Sequence, residues 1–306
     1  MSQAATTTQR RVSWFEATAR QRLAALLDPG SFTEFLGPAA REISPHLALF
    51  GLPAQFDDGI VIGQAKLGGH EVFAAAQEGR FMGGAFGEVH GAKLVGLLRA
   101  AKAASRDAVL LLDTGGVRLQ EANAGELAIS EIIRAIVDLR AEGNSVIGLI
   151  GGRAGCFGGG GIIAGCCTRL IVSEPGRISV SGPEVIETNR GVEEFDSQDR
   201  AFVWRTMGGK HRYLTGGADC FVDDDTTAFR AAAIETLAGR TPLTVSVLEA
   251  EQARLKARLK RFGAAKDGSE VWQALGVTNP ASVPGMDTEE FLNATKAVRE
   301  SADDAR

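Results

Sequence analysis

The stretch Ser145–Gly161, SVIGLIGGRAGCFGGGG, joins an apolar run to a segment with seven glycines in eleven residues. A short apolar run bounded by turn residues is typical of a buried strand. Glycine lets the backbone adopt positive φ and lets other atoms approach the amides closely. A strand, then glycines, then an apolar stretch able to start a helix is a common way to bind an anion. The stretch therefore predicts a strand-to-helix turn that presents backbone amides.

Strands and helices are predicted to alternate on both sides of this turn. Short apolar runs predict five strands, at residues 60–66, 72–77, 108–113, 145–150 and 169–174. Helical periodicities predict two helices between them, at residues 91–105 and 125–143. Such alternation indicates α/β architecture, with βα units and a largely parallel sheet. Ligands bind at the carboxyl ends of the strands of such sheets, so the loops that follow the strands are the candidate site.

The segments outside this alternation are predicted to be helical. Capping boxes that start at Ser13 and Ser31 predict two short N-terminal helices. Residues 245–262 mix charges on a helical period, which fits either a solvated helix packed on the domain or a partner-binding arm. Asp287 predicts one more capped helix. Three parts are expected: an N-terminal helical segment packed on the core (1–58), the core (59–240) and a C-terminal helical arm (241–306).

Composition excludes several classes of function. A net charge of −5 with 44% apolar residues is ordinary for a soluble protein and indicates neither nucleic acid nor membrane binding. No apolar run approaches the roughly 18 residues of a membrane span, and no signal-peptide core is evident, so a cytoplasmic protein is expected. The cysteines lack the spacing of a zinc site, so reduced thiols and no metal are expected at Cys156, Cys166, Cys167 and Cys220.

The glycines of residues 151–161 do not match the common phosphate-binding loops. A P-loop requires Lys-Ser/Thr after its glycines, and none follows here. A Rossmann fingerprint requires G-x-G-x-x-G after the first strand, whereas only part of that spacing occurs, late in the alternation. The G-x-S-x-G of a serine-hydrolase elbow is also missing, because Ser179 stands where its first glycine belongs before Ser181. Neither nucleotide binding nor serine hydrolysis is expected at this loop.

A second glycine pair, Gly115 and Gly116, follows the predicted strand at residues 108–113. Two parallel strands that each end in glycines can direct unpaired N–H groups at one point. Amides of Gly115 or Gly116 together with those of Gly158 or Gly159 would then form an oxyanion hole, as a thioester enolate requires. The alternative is that these glycines only permit tight strand-to-helix turns.

Five motifs in order carry a family resemblance. They are LLDPGSF at 26–32, FMGGAFGEVHGA at 81–92, DTGGVRLQEA at 113–122, CFGGGGIIAG at 156–165 and GPEVIE at 182–187. In these motifs the chain resembles the acyl-CoA carboxyltransferase family, which includes the β subunits of acetyl-CoA carboxylase. The resemblance covers residues 20–225. It implies a crotonase-like spiral of ββα units, to which the N-terminal helices and the C-terminal helical arm are added.

Within this family the chain looks most like the β subunits of biotin-independent malonate decarboxylases. Acetyl-CoA carboxylase β subunits of the bacterial type carry an N-terminal four-cysteine zinc ribbon, whereas the first cysteine here is Cys156. The insertion at residues 188–225 also resembles the decarboxylase subunit more. Two alternatives remain open: a β subunit of a biotin-dependent acyl-CoA carboxyltransferase such as acetyl-CoA carboxylase, and a scaffold that only binds acyl thioester or partner subunits.

The resemblance implies a reaction and its partners. Malonyl carried as a thioester on an acyl-carrier protein would lose carbon dioxide, and backbone amides would stabilise the enolate, without biotin. The implied partners are a homologous γ subunit, the acyl-carrier protein and an acyl-carrier-protein transferase subunit. The carrier would hold a CoA-derived, phosphopantetheine-type prosthetic group. The residues expected to bind the substrate or this prosthetic arm are Gly83, Gly84, Arg118 and Gly160.

Several side chains have two interpretations at this stage. Arg118 could bind a phosphate of the prosthetic arm or form a salt bridge with Glu121 or Glu126. Cys156 could be a thiolate nucleophile at a helix terminus or a core residue, and the implied chemistry needs no nucleophile. His90 could touch the carrier arm or donate a proton, or it could serve in capping or packing. A polar cluster in the insertion could line the site or lie elsewhere: His211, Arg212 and Tyr213.

Overall fold

The computed structural model describes residues 11–237 and 242–303. Within these ranges the strands are β1 (Thr33–Phe35), β2 (Ile60–Leu67), β3 (His70–Gln77), β4 (Asp107–Leu112), β5 (Val146–Ile150), β6 (Arg169–Ser173) and β7 (Cys220–Val222). The α-helices are α1 (Ala19–Leu26), α2 (Pro45–Leu49), α3 (Glu88–Ala104), α4 (Asn123–Ala141), α5 (Gly159–Cys166), α6 (Pro183–Arg190), α7 (Arg200–Met207), α8 (Gly209–Leu214), α9 (Thr226–Leu237), α10 (Val245–Phe262), α11 (Gly268–Leu275) and α12 (Thr288–Asp303). None of these helices is both long and apolar enough to cross a membrane. The five predicted strands are confirmed to within two residues at each end.

The strands form a single sheet in chain order, from β1 to β7. The first three strands are antiparallel, and the pairs from β3 to β7 are all parallel. The tight β2–β3 turn uses Gly68 and Gly69, whose φ values of +57° and +82° suit a two-residue hairpin. The predicted largely parallel sheet is therefore confirmed, and it has an antiparallel edge.

Short bridges extend the parallel strands beyond their carboxyl ends. Thr114 pairs with Cys156, and Cys156 pairs with Ile178, each in parallel register. A similar bridge joins Phe86 to Val117. Each turn of the chain thus consists of a sheet strand, a short bridging segment and a helix, which is the ββα unit that the family resemblance implies.

Helices cover both faces of the sheet. The alternating side chains of β4 point to opposite sides, so Leu110 packs with α3 and α4 whereas Leu111 packs with α1 and α9. Because both faces are covered, the central residues of the parallel strands are apolar. Only the loops at the strand ends remain available for chemistry.

The second predicted N-terminal helix, starting at the capping box of Ser31, is wrong. The Ser31 hydroxyl donates to the Asp28 carbonyl (2.7 Å) and accepts the Lys66 N–H (3.0 Å), so it joins two chain segments and caps no helix. The residues that follow form the edge strand β1 against β2. Gly63 of β2 allows this pairing, since a Cβ there would overlap the Thr33 carbonyl oxygen.

The first predicted N-terminal helix exists but begins later. Thr18 caps α1, and the Gln21 side chain completes a capping box with the backbone of Thr18. The hydroxyl of Ser13, the predicted cap, accepts the Glu16 N–H (3.1 Å), but only a turn follows, and the hydroxyl also donates to Asp224 (2.6 Å), which anchors the segment before α1. A further helix, α2, follows β1. The N-terminal segment is therefore helical only in part.

The C-terminal region is helical, as predicted. No side chain of α10 is fully buried, and Leu259 is 73% exposed. The Asp287 carboxylate accepts the Glu290 N–H (2.9 Å) at the start of α12, which confirms that cap. Helix α11 was not predicted. The proposed boundary between residues 240 and 241 lies outside the described residues, so the division into three parts stays a prediction.

We predict that Trp14→Ala lowers the free energy of unfolding by about 3–5 kcal/mol, because a fully buried aromatic side chain is removed. Trp14 stacks on Phe229 of α9, with 4.1 Å between ring centroids, and so holds the N-terminal segment on the sheet. Urea denaturation of the isolated chain measures the change. The control Leu259→Ala removes an exposed side chain and should change stability by about 0.5 kcal/mol or less. Equal effects of the two substitutions would contradict the assignment.

Candidate active site

The carboxyl ends of β4 and β5 bring the two glycine clusters together. The Thr114 N–H donates to the Gly155 carbonyl (2.8 Å), and the Phe157 N–H donates to the Thr114 carbonyl (2.9 Å). A Cβ on Gly158 would lie only 3.2 Å from the Gly116 Cα, which is tighter than ordinary contact. The approach of the two loops therefore depends on glycine.

Two amides at the start of α5 have no hydrogen-bond partner. Neither the Gly158 N–H nor the Gly159 N–H donates to another of the described residues, and both glycines are only half-buried. Gly158 has φ +58° and ψ −133°, a conformation that side-chain-bearing residues rarely adopt. The N-terminus of a helix also favours negative charge. These two amides can receive an oxyanion.

The N–H groups of the other predicted pair are already occupied. Gly115 donates to the Gly83 carbonyl (2.8 Å), and Gly116 donates to the Thr114 hydroxyl (3.1 Å). In contrast to the sequence-based expectation, only Gly158 and Gly159 of the four predicted glycines therefore keep an N–H with no acceptor among the described residues. Gly116 instead acts by lacking a Cβ, which allows Gly158 to approach.

The predicted arm-binding glycines differ from one another. Gly83 is exposed, has φ +63° and has no atom close to where a Cβ would lie, so its surface is open. Gly84 and Gly160 are buried, and a Cβ on them would overlap the Asp113 carbonyl oxygen and the Thr114 methyl group, respectively. Close packing alone therefore accounts for glycine at positions 84 and 160. Of the three, only Gly83 presents an open surface.

Arg118 forms the salt bridge that was the alternative to a phosphate contact. Its Nη1 donates to Asp58 (2.8 Å) and to Glu121 (3.2 Å), and its Nη2 donates to the Asp58 carbonyl (2.8 Å). All three side chains are completely buried. The predicted phosphate contact is not supported, because no part of the guanidinium reaches the surface. Arg118 instead ties the loop after β4 to the segment before β2.

His90 and Cys156 lie in the interior. The His90 Nδ1 lies 3.0 Å from the Asp58 carbonyl, so Nδ1 carries the proton, and Nε2 accepts a hydrogen bond from Gln77 (3.1 Å). Burial, together with the charge of Arg118, lowers the pKa of His90 to about 3. Burial also raises the pKa of the Cys156 thiol well above its usual value. The structure thus supports packing roles over proton donation by His90 or attack by Cys156.

The polar cluster of the insertion packs against the C-terminal helices. The Nδ1 of His211 accepts a hydrogen bond from the Trp272 indole (3.1 Å), and burial lowers the pKa of His211 to about 3. Tyr213 packs edge-on against Phe291 of α12, and burial beside Arg258 lowers the pKa of Arg212 to about 10. These contacts support a role in joining α8 to α11 and α12.

Sequence reasoning missed Asp113, which lies directly before the Gly115–Gly116 pair. Its carboxylate accepts hydrogen bonds from Arg22 of α1 (2.8 Å) and from the Ala154 N–H in the loop after β5 (2.7 Å). Its own N–H donates to the Gln77 side chain (3.1 Å). The available signal was a charged residue directly after the apolar run 108–112, where burial demands a partner.

The family of the chain follows from its sequence and this geometry. The carboxyl transferase domain matches residues 16–257, which is most of the chain. The chain therefore belongs to the carboxyltransferase family, and its fold is the crotonase-like fold of that family. Within the family it is related to malonate decarboxylases.

Three relatives define this relationship. The malonyl-S-ACP:biotin-protein carboxyltransferase MADC of Malonomonas rubra is 40% identical over 94% of this chain and 96% of its own length. A chain of the Pseudomonas malonate decarboxylase hetero-tetramer, solved with malonate, is 42% identical with a TM-score of 0.80, over 86% of this chain and 97% of its own. The propionyl-CoA carboxylase β chain of Saccharopolyspora erythraea is 31% identical, over 66% of this chain but only 36% of its own length. Similarity over nearly the full length is thus seen with MADC and with the malonate decarboxylase chain, and not with the propionyl-CoA carboxylase chain.

We predict that His90 makes the protein less stable in acid. With a pKa near 3 in the folded protein and about 6.5 when unfolded, His90 takes up a proton on unfolding between these pH values. The free energy of unfolding therefore falls as pH drops from 6.5 to 3, by about 1.4 kcal/mol per pH unit for this group. Urea denaturation at several pH values should show a shallower slope for His90→Gln.

The control for this prediction is Phe86→Leu. Phe86 packs edge-on against His90, with 5.2 Å between ring centroids, and does not titrate. This substitution should lower stability without changing the pH slope. An unchanged slope in His90→Gln would show that His90 is protonated in the folded protein.

Proposed function

We propose that this chain is the β subunit of a biotin-independent malonate decarboxylase. With a homologous γ subunit it would convert malonyl-S-acyl-carrier protein into acetyl-S-acyl-carrier protein and carbon dioxide. The observation that carries this proposal is the pair of unpartnered amides of Gly158 and Gly159 at the start of α5. Similarity to a Pseudomonas malonate decarboxylase chain over 97% of that chain supports it.

The amides would act on the charge that decarboxylation creates. Breaking the bond between the carboxylate and the α-carbon releases carbon dioxide and leaves an electron pair, which the thioester carbonyl takes up as an enolate oxygen. The Gly158 and Gly159 amides would donate to this oxygen. Each preorganised donor is worth about 3 kcal/mol of transition-state stabilisation. A proton delivered to the α-carbon then gives the acetyl thioester.

The proposed partners follow from the form of the substrate. We place the malonyl group on a CoA-derived, phosphopantetheine-type arm of an acyl-carrier protein, loaded by a transferase subunit. Gly83 lies at the open side of the loop before α3, and its carbonyl accepts a hydrogen bond from the Gly115 N–H. We propose that the arm passes over Gly83 to reach the two amides. The homologous γ subunit would complete the site, as a hetero-tetrameric relative suggests.

We predict that removing the Gly159 N–H lowers kcat on the order of 10²-fold, because one oxyanion donor is lost. Proline is tolerated at the first position of a helix, which is where Gly159 lies. A side chain there would meet the Ile129 Cγ1 at 2.6 Å, so the test is made in an Ile129→Ala background. Decarboxylation of the malonyl carrier by the complex with the γ subunit is measured.

The matched control is Gly159→Ala in the same background. Alanine and proline both add a Cβ at position 159, but only proline removes the N–H. The alanine variant should therefore retain most of the activity. If the two variants differ by no more than about twofold, the N–H contributes little and the oxyanion assignment fails.

A second candidate function is transfer of the malonyl carboxyl group to a biotin protein. The specific observation in its favour is the name of MADC, a malonyl-S-ACP:biotin-protein carboxyltransferase that is 40% identical to this chain. The enolate would form in the same way, a ureido nitrogen of biotin would take the carboxyl group, and the proton that this nitrogen loses would end on the α-carbon to give the acetyl thioester. The amide geometry is common to both reactions, so only the acceptor distinguishes them.

We predict that the reconstituted complex decarboxylates malonyl carrier in the presence of excess avidin, because no step of the proposed reaction uses biotin. Carbon dioxide release from biotin-free components measures this directly. A parallel reaction with added biotin protein tests for carboxybiotin. Inhibition by avidin, or release that depends on the biotin protein, would establish the second candidate function instead.

A further inference from the structure

Asp113 is the point at which three chain segments meet beneath the glycine loops. One carboxylate oxygen accepts the Arg22 guanidinium (2.8 Å), and the other accepts the Ala154 N–H (2.7 Å). Side chains of Asp113 and Arg22 are only 3% and 2% exposed. A buried carboxylate without such partners would be strongly unfavourable, so this arrangement is specific.

Arg22 belongs to the N-terminal segment, outside the ββα units. Its Nε donates to the Trp14 carbonyl (2.8 Å), and its Nη2 donates to the Phe15 carbonyl (3.4 Å). Its Nη1 is the group that reaches Asp113. Every nitrogen of the guanidinium is therefore held, and the cation is fixed relative to the ends of β4 and β5.

The chain leaves room for this ion pair by using glycine on two sides. A Cβ on Gly152, in the loop after β5, would overlap the Asp113 carboxylate. A Cβ on Gly79, after β3, would lie 2.5 Å from the same group. Both loops thus pack directly on the carboxylate.

The same carboxylate controls the loop that presents the oxyanion donors. Residues 152–157 are bound to the end of β4 at three consecutive points: the Ala154 N–H on the Asp113 side chain, the Gly155 carbonyl on the Thr114 N–H, and the Phe157 N–H on the Thr114 carbonyl. Gly158 and its positive φ follow directly. Of these three bonds, only the first is to a charged group, and such hydrogen bonds are the stronger ones.

We propose that the Arg22–Asp113 ion pair is a positioning pair that sets the direction of the Gly158 and Gly159 amides, an inference that rests on the proposed function. The N-terminal segment is then part of the catalytic apparatus, because it supplies the cation that holds Asp113 in place. Arg22 and Asp113 touch no substrate. They act through the loop after β5.

The test separates positioning from stability by removing both charges together. Deleting one partner of a buried ion pair leaves an unpaired charge, whereas replacing both is often neutral for stability. In Arg22→Met/Asp113→Asn the asparagine oxygen can still accept the Ala154 N–H. In Arg22→Met/Asp113→Val the valine side chain has no oxygen, so the Ala154 N–H loses this acceptor. The two double variants differ in the contact with the loop and not in charge.

Two measurements are made on the full chain. In the complex with the γ subunit, Arg22→Met/Asp113→Val should lower kcat at least tenfold with little change in KM, because the lost interaction acts in the transition state. In the chain alone, hydrogen exchange of residues 152–161 should become at least tenfold faster. Arg22→Met/Asp113→Asn should show a smaller loss of about threefold in both measurements, because it keeps the Ala154 hydrogen bond but loses the charge that strengthens this bond.

The control is Arg205→Met/Asp267→Val. Asp267 likewise accepts Arg205 (2.8 Å) and a backbone N–H, that of Ser269 (2.8 Å), but at the start of α11. This control variant should leave kcat and the hydrogen exchange of residues 152–161 unchanged. If Arg22→Met/Asp113→Val does not fold, Asp113→Glu is tested in its place. The Asp113→Glu substitution keeps the negative charge but displaces the carboxylate oxygens, so this variant should also lower kcat at least tenfold.

Unchanged kcat and unchanged exchange in the folded variant would overturn the proposal. Equal losses in the asparagine and valine double variants would overturn it as well, because the Ala154 contact would then be irrelevant. The exchange measurement does not depend on activity. If the unaltered complex fails to decarboxylate malonyl carrier, the proposed function fails, while hydrogen exchange still decides whether the ion pair positions the loop.

Discussion

The close approach of the chain beyond β4 to the chain beyond β5 is the constraint on which the rest of the structure depends. The two segments pair through Thr114 and Cys156, and the backbones of Gly116 and Gly158 then come almost into contact. No side chain fits between them. This spacing leaves the start of α5 with two amides that have no partner in the described part of the chain, so the chemistry of the site originates in the packing of the backbone.

Polar groups buried around this contact have to be satisfied within the protein, and they explain several features that resemble binding residues. Arg118 is held by Asp58 and Glu121, and Asp113 is held by Arg22. The Arg118–Asp58 and Asp113–Arg22 pairs each join a glycine-rich loop to a segment that precedes β2. Because a buried charge requires such partners, an arginine next to a glycine cluster is not by itself evidence of a phosphate site.

Local patterns predicted the strands well and the helix caps less well. The strands from β2 to β6 are apolar runs bounded by turn residues, and this pattern depends only on burial. The capping-box spacing at Ser31 was misleading, because its hydroxyl is used by Asp28 and by Lys66, which lies 35 residues away. A serine three residues before a glutamate has the same local sequence whether it caps a helix or starts an edge strand. Only the presence of a partner strand decides which of the two forms.

The sequence by itself determined the α/β class, the order of the strands from β2 to β6 with the helices α3 and α4, the family, and the glycine loops that form the candidate site. Each of these depends on periodicity, on the conformational freedom of glycine or on ordered motifs. The tertiary structure alone decided which amides are free. The Gly115 and Gly116 N–H groups donate to the Gly83 carbonyl and the Thr114 hydroxyl. The N–H groups of Gly158 and Gly159 have no acceptor among the described residues. The reason is that a backbone N–H is available only where no distant acceptor reaches it, and distant acceptors are arranged by packing.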